Sequence, residues 1–202
     1  MVGGRWTNIC TNLLQSLFGT PQNYLTGTDE QDKWVFPFKL CNYDEWTRPV
    51  VIYYCFGGTH SSVLAASIHV GKAPQKCVPT VEQLRSLEHF DRHRSSNIGT
   101  IHHMGKTEDV VAVKSVGFDG NRVPLLHMLR DLLVNLGWSQ QEIIAANTVR
   151  FVDWKTRVGG FLSCRLGWRF IGRPLVCAGA RKIYPLLREQ VSKVRGALRT
   201  KF

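Results

Sequence analysis

Residues 50–71 read VVIYYCFGGTHSSVLAASIHVG, and this run limits the fold of the chain more than any other. Val50 to Cys55 is β-branched and aromatic without polar alternation, the pattern of a strand buried on both faces. Gly57-Gly58-Thr59-His60 makes a tight turn. Ser61 or Ser62 caps a helix over Val63 to Val70, and Gly71 stops it. Such a strand needs helices above and below its sheet. The rest of the chain repeats the alternation. Thr80 to Glu88 reads as a short helix opened by a capping box of Thr80 and Gln83. Thr100 to Met104 and Val110 to Val116 read as a hairpin, Val123 to Leu136 as a strong helix and Gln140 to Ala145 as a short one. Thr148 to Val152 and Pro174 to Ala178 read as strands, with a glycine-containing helix between them over Thr156 to Leu166. Ile183, Leu187, Val191, Val194 and Leu198 form one apolar stripe on a last helix. The expected fold is α/β, a three-layer sandwich with a mostly parallel sheet and helices on both faces.

Residues 1–48 read as an N-terminal extension to a single domain over 49–202. Asn8 to Phe18 is a short amphipathic helix, and Trp34 to Cys41 an edge strand confined there by Pro37. Apolar residues at 44% and aromatic residues at 10% exclude disorder of the whole chain. No apolar run approaches the ~18 residues of a membrane helix, and Arg5 is followed by Trp-Thr-Asn-Ile-Cys rather than a signal-peptide core. The expected place is the cytoplasm, with no membrane partner. Cys10, Cys41, Cys55, Cys77, Cys164 and Cys177 include no C-x-x-C pair, so free thiols are expected and no structural zinc.

Charge is one-sided. The 202 residues carry a formal +11, and residues 150–202, with thirteen Lys or Arg against two acidic groups, hold all of it. An anionic partner is implied. Arg181, Arg188, Arg195 and Arg199 share a face of the last helix, where a solvated surface is the simpler reading.

The turn after Cys55 carries the chemistry. In an open α/β sheet, ligands bind beyond the carboxyl ends of the strands. Gly57 and Gly58 let main-chain N–H groups point into one concavity, the helix start adds unpaired donors, and Thr59, Ser61 and Ser62 add hydroxyls. Those features suit a phosphate, sulfate or carboxylate. The run is neither a Walker A loop, having no lysine between Cys55 and Gly71, nor G-x-G-x-x-G. It resembles the C-x5-R-S loop of low-molecular-weight tyrosine phosphatases, with Cys55 and Ser62 in place and Ser61 where the arginine belongs. Without that guanidinium, phosphoryl transfer loses its main charge stabiliser.

The site residues expected are therefore His60 as acid/base, Cys55 or Ser61 as nucleophile, and Gly57, Gly58, Thr59, Ser62, His69, Arg157 and Arg181 as ligand contacts. Arg157 and Arg181 follow strands in this reading and would meet the loop at one sheet edge. Arg173 precedes its strand and would sit at the opposite edge. The ligand is a phosphorylated or other anionic small molecule, with a nucleotide one candidate, and the reaction, where there is one, acyl or phosphoryl transfer or hydrolysis. Its rival is a non-catalytic nucleic-acid-binding protein using the basic last 53 residues. His89, His93, His102 and His103 have a spacing that chance often supplies, and no metal is assigned to them.

Three runs, CFGGTHSSVLAASIHVGKAP, GFDGNRVPLLHML and ANTVRFVDWKTRVGGFLSCRLGWRFIGRPLVCAGARKIYP, resemble a bacterial family known as domain of unknown function 3189, over about residues 49–195. The resemblance implies membership among spore-forming bacterial proteins and no assigned activity. It implies that the Cys55–Ser62 loop, His69, the Arg157–Arg165 segment and Gly172-Arg173-Pro174 belong to the family pattern, and that residues 1–48 lie outside it.

Overall fold

A computed structural model describes residues 39–40, 46–92, 99–109, 111–118, 122–166 and 168–202. Met1–Phe36 forms one unit, which lies outside the described residues together with the Asn8–Phe18 helix; Pro37–Phe202 forms the other. The second unit runs β1 (Lys39–Leu40), β2 (Val50–Cys55), α1 (Ser61–His69), α2 (Val81–Ser86), β3 (Thr100–Lys106), β4 (Ala112–Gly117), α3 (Arg122–Asn135), β5 (Ile143–Asn147), α4 (Trp154–Gly160) and α5 (Arg169–Lys201).

The sheet order is β1-β3-β4-β2-β5. β2 pairs in parallel with both β4 and β5, β3 is antiparallel to β4, and β1 lies parallel to β3 at the edge. β2 is thus the strand with a parallel neighbour on each side, as its unbroken apolar run requires. Its residues alternate between two cores. Val51 and Tyr53 pack with Val63, Leu64 and Ile68 of α1 and with Val176, Ile183, Leu187 and Val191 of α5. Val50 and Ile52 pack with Leu129 and Leu133 of α3 on the other side. The three layers follow, with Val194 partly buried against the first core.

Capping chemistry sets the starts of α2 and α4, whereas α1 begins at Ser61 after His60 with no side-chain cap, so neither Ser61 nor Ser62 caps it as expected; both lie inside its first turn. Thr80 Oγ1 accepts from Gln83 N at 3.2 Å while Gln83 Oε1 accepts from Thr80 N at 2.9 Å. Asp153 caps α4 through Thr156 N at 3.0 Å.

Three expected elements are different. Gln140–Glu142 is a single 3₁₀ turn, and the apolar Ile143–Asn147 that follows pairs with β2, so the strand lies five residues before the expected one. A short apolar run is ambiguous between helix and strand, and here β2 offers it an edge. Thr148–Val152 instead begins with the 3₁₀ turn Val149–Phe151. Pro174–Ala178 is no strand but an early part of α5, a helix of 33 residues that keeps Pro174 and Pro185 inside it. Gly159, Gly172 and Gly179 are contact points between α4 and α5. A Cβ on Gly159 would come within 2.8 Å of Gly172 O, one on Gly172 within 2.7 Å of Gly159 O, and one on Gly179 within 2.9 Å of Asp153 Oδ1. Close backbone approach, not chain reversal, explains them, and it locks α4 and the π-helical turn Phe161–Arg165 onto α5.

Candidate functional site

β2 ends at Cys55 and the chain turns through Phe56–His60 into α1. Gly58 sits at φ +70°, a conformation glycine adopts without cost. A Cβ there would lie 2.6 Å from Gly117 N, at the end of β4. The loop is thereby pressed onto the sheet end, and three groups meet below it. Gly58 N–H donates to Cys55 Sγ at 3.1 Å, and Ser62 Oγ is hydrogen-bonded to the same sulfur at 3.1 Å. Ser115 Oγ of β4 stands 3.5 Å from Ser62 Oγ. One of the amides counted as an anion donor is therefore engaged with the protein's own sulfur.

Ser61 occupies the position of the missing arginine. Its Oγ is hydrogen-bonded to Thr148 Oγ1 at 3.0 Å, and Thr148 Oγ1 donates to Tyr54 O at 3.0 Å. Cys55, Thr59, Ser61 and Ser62 are all buried, whereas Phe56 is exposed and Gly57 and His60 are partly so.

His60 belongs to a second cluster, which sequence reasoning missed. Its Nε2–H donates to Asp91 Oδ1 at 3.1 Å. Asp91 also accepts from Ser163 Oγ at 2.9 and 3.1 Å and from Arg173 Nε at 3.0 Å. Asp91 has φ +50°, and its N–H donates to Thr59 O at 3.1 Å, which ties the carboxylate to the loop. Burial alone would push the Asp91 carboxyl up; the hydrogen bonds from His60, Ser163 and Arg173 outweigh it and hold the group below its ordinary range. The stability this confers is present above the usual carboxylate range and is lost as pH falls through the lowered value. Asp91→Asn keeps the shape and removes the charge. We expect it to lower stability by about 2 kcal/mol in urea unfolding near neutral pH; an unchanged midpoint would mean the cluster contributes nothing.

Arg173 is the guanidinium nearest this cluster, contrary to its expected place at the opposite sheet edge. The correction follows from α5: with no strand at Pro174–Ala178, Arg173 lies on the helix that packs over α1. Arg181 lies on the same helix, not after a strand, and its side chain is exposed, as is that of Arg157 on α4. Arg181 thereby loses the strand that placed it at the sheet edge, whereas Arg157 still follows a strand parallel to β2, the earlier β5. Gly160 closes the other side of His60, where an added Cβ would lie 3.1 Å from the imidazole Cε1.

His69 stands at the far end of α1 from the loop, buried in the first core, with Nδ1 hydrogen-bonded to Tyr53 Oη at 2.8 Å. Arg195 donates to the carbonyls of Ile68 and His69 at 3.1 and 2.7 Å, and Arg188 to Lys76 O at 3.1 Å, so these two arginines are anchored to the domain and are not simply solvated. The His89 and His102 rings lie 4.5 Å apart; His93 lies outside the described residues. Among the described residues no group of three His, Cys, Asp or Glu side chains is placed to hold a metal ion. Cys55, Cys77 and Cys177 are free thiols, Cys77 an exposed one. No helix among the described residues is long and apolar enough to cross a membrane.

The fold and loop define a class: a three-layer α/β protein whose central strand ends in a Cys-x5-Ser-Ser turn opening a buried helix. The family model described as a protein of unknown function (DUF3189) matches residues 50–196, and the chain belongs to that family. No curated protein and no solved structure matches it.

Proposed function

We infer that the Cys55–Ser62 loop binds the anionic group of a phosphorylated or carboxylated small molecule, with His60 as the proton-handling side chain beside it. The observation that carries this reading is the convergence on Cys55 Sγ of a loop amide and a hydroxyl, each at 3.1 Å, at the start of a nine-residue helix. Donors gathered at a helix N-terminus favour negative charge at that point. Ser61 gives no positive charge, so the nearest guanidinium is Arg173, beside His60 on Asp91. For an acyl- or phosphoryl-transfer reaction, Cys55 is the stronger nucleophile candidate, because the Ser61 hydroxyl is tied to Thr148.

The test is thermal unfolding with inorganic phosphate, a nucleotide and a sugar phosphate. A ligand at ten times its Kd stabilises by about 1.4 kcal/mol, which raises Tm by about 3–6 °C for a chain of this size. In a Cys77→Ser background, the same ligand slows alkylation of Cys55 by iodoacetamide. Ser61→Ala/Ser62→Ala is expected to abolish both effects. No stabilisation by any of the three, or equal stabilisation in the double variant, refutes the loop as the site.

A further inference from the structure

The hairpin of α4 and α5 carries an apolar tip that the cores leave outside. Phe161, Leu166, Trp168, Phe170 and Ile171 are exposed large apolar side chains where the π-helical turn passes into α5, and Phe170 is 94% exposed. The α5 face that packs inward buries Val176, Cys177, Ala180 and Ile183 instead. Trp154, at the start of α4, is 64% exposed. At the tip itself one tryptophan and two phenylalanine rings open to half or more of their surface, with Leu166 and Ile171 beside them, present on the order of 500 Å² of apolar area. That matches the largest patches found on monomers, which are commonly binding surfaces.

Cations lie further along the same two helices, behind this tip. Lys155 Nζ lies 5.8 Å from the centroid of the Trp154 ring, and Arg157, Arg181 and Lys182 are exposed on the same two helices. Lys182 also pairs with Asp153 at 3.7 Å, one of only two acidic residues in the last 53.

We propose that the α4–α5 tip docks on the surface of an anionic lipid bilayer. The aromatic and aliphatic side chains enter the boundary between headgroups and acyl chains, and the cations meet the headgroups. Charge decides between occupants. A second copy would bring two strongly basic regions together, which like-charge repulsion opposes. A nucleic acid would satisfy the cations and could stack on the rings, but it offers Leu166 and Ile171 no apolar partner. A bilayer surface satisfies all of them. Surface docking also suits a chain whose described helices are not apolar enough to span. The proposal goes beyond the anion site and uses none of its residues.

The experiment is co-sedimentation of the full chain with vesicles of equimolar phosphatidylglycerol and phosphatidylcholine, against vesicles of phosphatidylcholine alone. Binding is expected to the first and not the second. Trp168→Ser/Phe170→Ser, at two exposed positions and with Tm unchanged, is expected to weaken it by about tenfold or more. Lys155→Gln/Lys182→Gln is expected to weaken it by about fivefold for each charge removed. Absence of binding to the anionic vesicles, or equal binding to the neutral ones, overturns the proposal. So does a dimer, or an RNA complex, that forms without lipid and is lost in Trp168→Ser/Phe170→Ser.

Discussion

Gly117→Ala is expected to lower stability by about 3 kcal/mol or more, a fall in Tm of about 6–12 °C. Gly117 closes β4 and pairs in register with Cys55. A Cβ there would lie 2.5 Å from both Gly57 C and Gly58 N and 2.9 Å from Gly57 O. These are main-chain atoms, so no side-chain rotation relieves the overlap. The loop must lift away from the sheet or β4 must shift. Either movement separates Gly58 N and Ser62 Oγ from the Cys55 sulfur, and the alkylation rate of Cys55 in a Cys77→Ser background rises as stability falls. Gly71→Ala is the control. Gly71 has φ +79° but nothing within 4 Å of an added Cβ, so only the backbone preference is lost, about 1 kcal/mol. Equal losses at Gly71 and Gly117 would show that close contact between loop and strand contributes nothing.

Gly58 and Gly117 show where sequence reading reaches and where it stops. The β2–loop–α1 unit was legible because each part expresses a local preference, a doubly buried strand, a turn and a helix ended at Gly71; only the serine cap was misplaced, since α1 begins at Ser61 with no side-chain cap. The Thr80 capping box and the Val123–Leu136 helix were legible for the same reason. That Gly58 needs positive φ follows from the turn; that Gly117 must lack a side chain follows only from contact with residues 59 and 60 positions earlier. The strand expected at Pro174–Ala178 failed for a related reason. Glycine and proline usually punctuate local structure, but Gly172 and Gly179 sit where α4 and α5 touch, and packing carries the helix through Pro174.

The candidate site divides along that line. Cys55 and Ser62 are only seven positions apart, and their meeting could be anticipated from that segment. Asp91 could not. It lies in a stretch that reads as a charged loop, and its partners His60, Ser163 and Arg173 are 31, 72 and 82 residues away. The family pattern that includes Arg173 was the one signal pointing there, and the misread strand at Pro174–Ala178 placed it at the wrong edge. The same misreading drew Arg181 toward the loop; it is exposed on α5, as Arg157 is on α4.

Acid is expected to destabilise the domain by about 3 kcal/mol as pH falls from about 6.5 to about 4, through His69 alone. Burial, with the Arg195 guanidinium adding to it, lowers the His69 imidazole from 6.5 to about 4. Between those values the unfolded chain takes up a proton that the folded one refuses. The stabilisation due to the neutral ring is therefore complete above about pH 6.5, declines as pH drops, and has gone below about 4. No neighbour rescues the imidazolium. Tyr53, at 2.8 Å, keeps its proton because burial pushes the phenol far above its usual range, with only partial opposition from Arg195. Arg195 itself is held against the end of α1 by the carbonyls of Ile68 and His69, so it stays as a repulsive charge. His69→Gln can still hydrogen-bond Tyr53 and has nothing to titrate. Urea unfolding midpoints of the two proteins, measured across this pH range, should converge as the solution becomes acid. Parallel curves would mean that His69 charges in place, and that the core around Tyr53 is wetter than its packing implies.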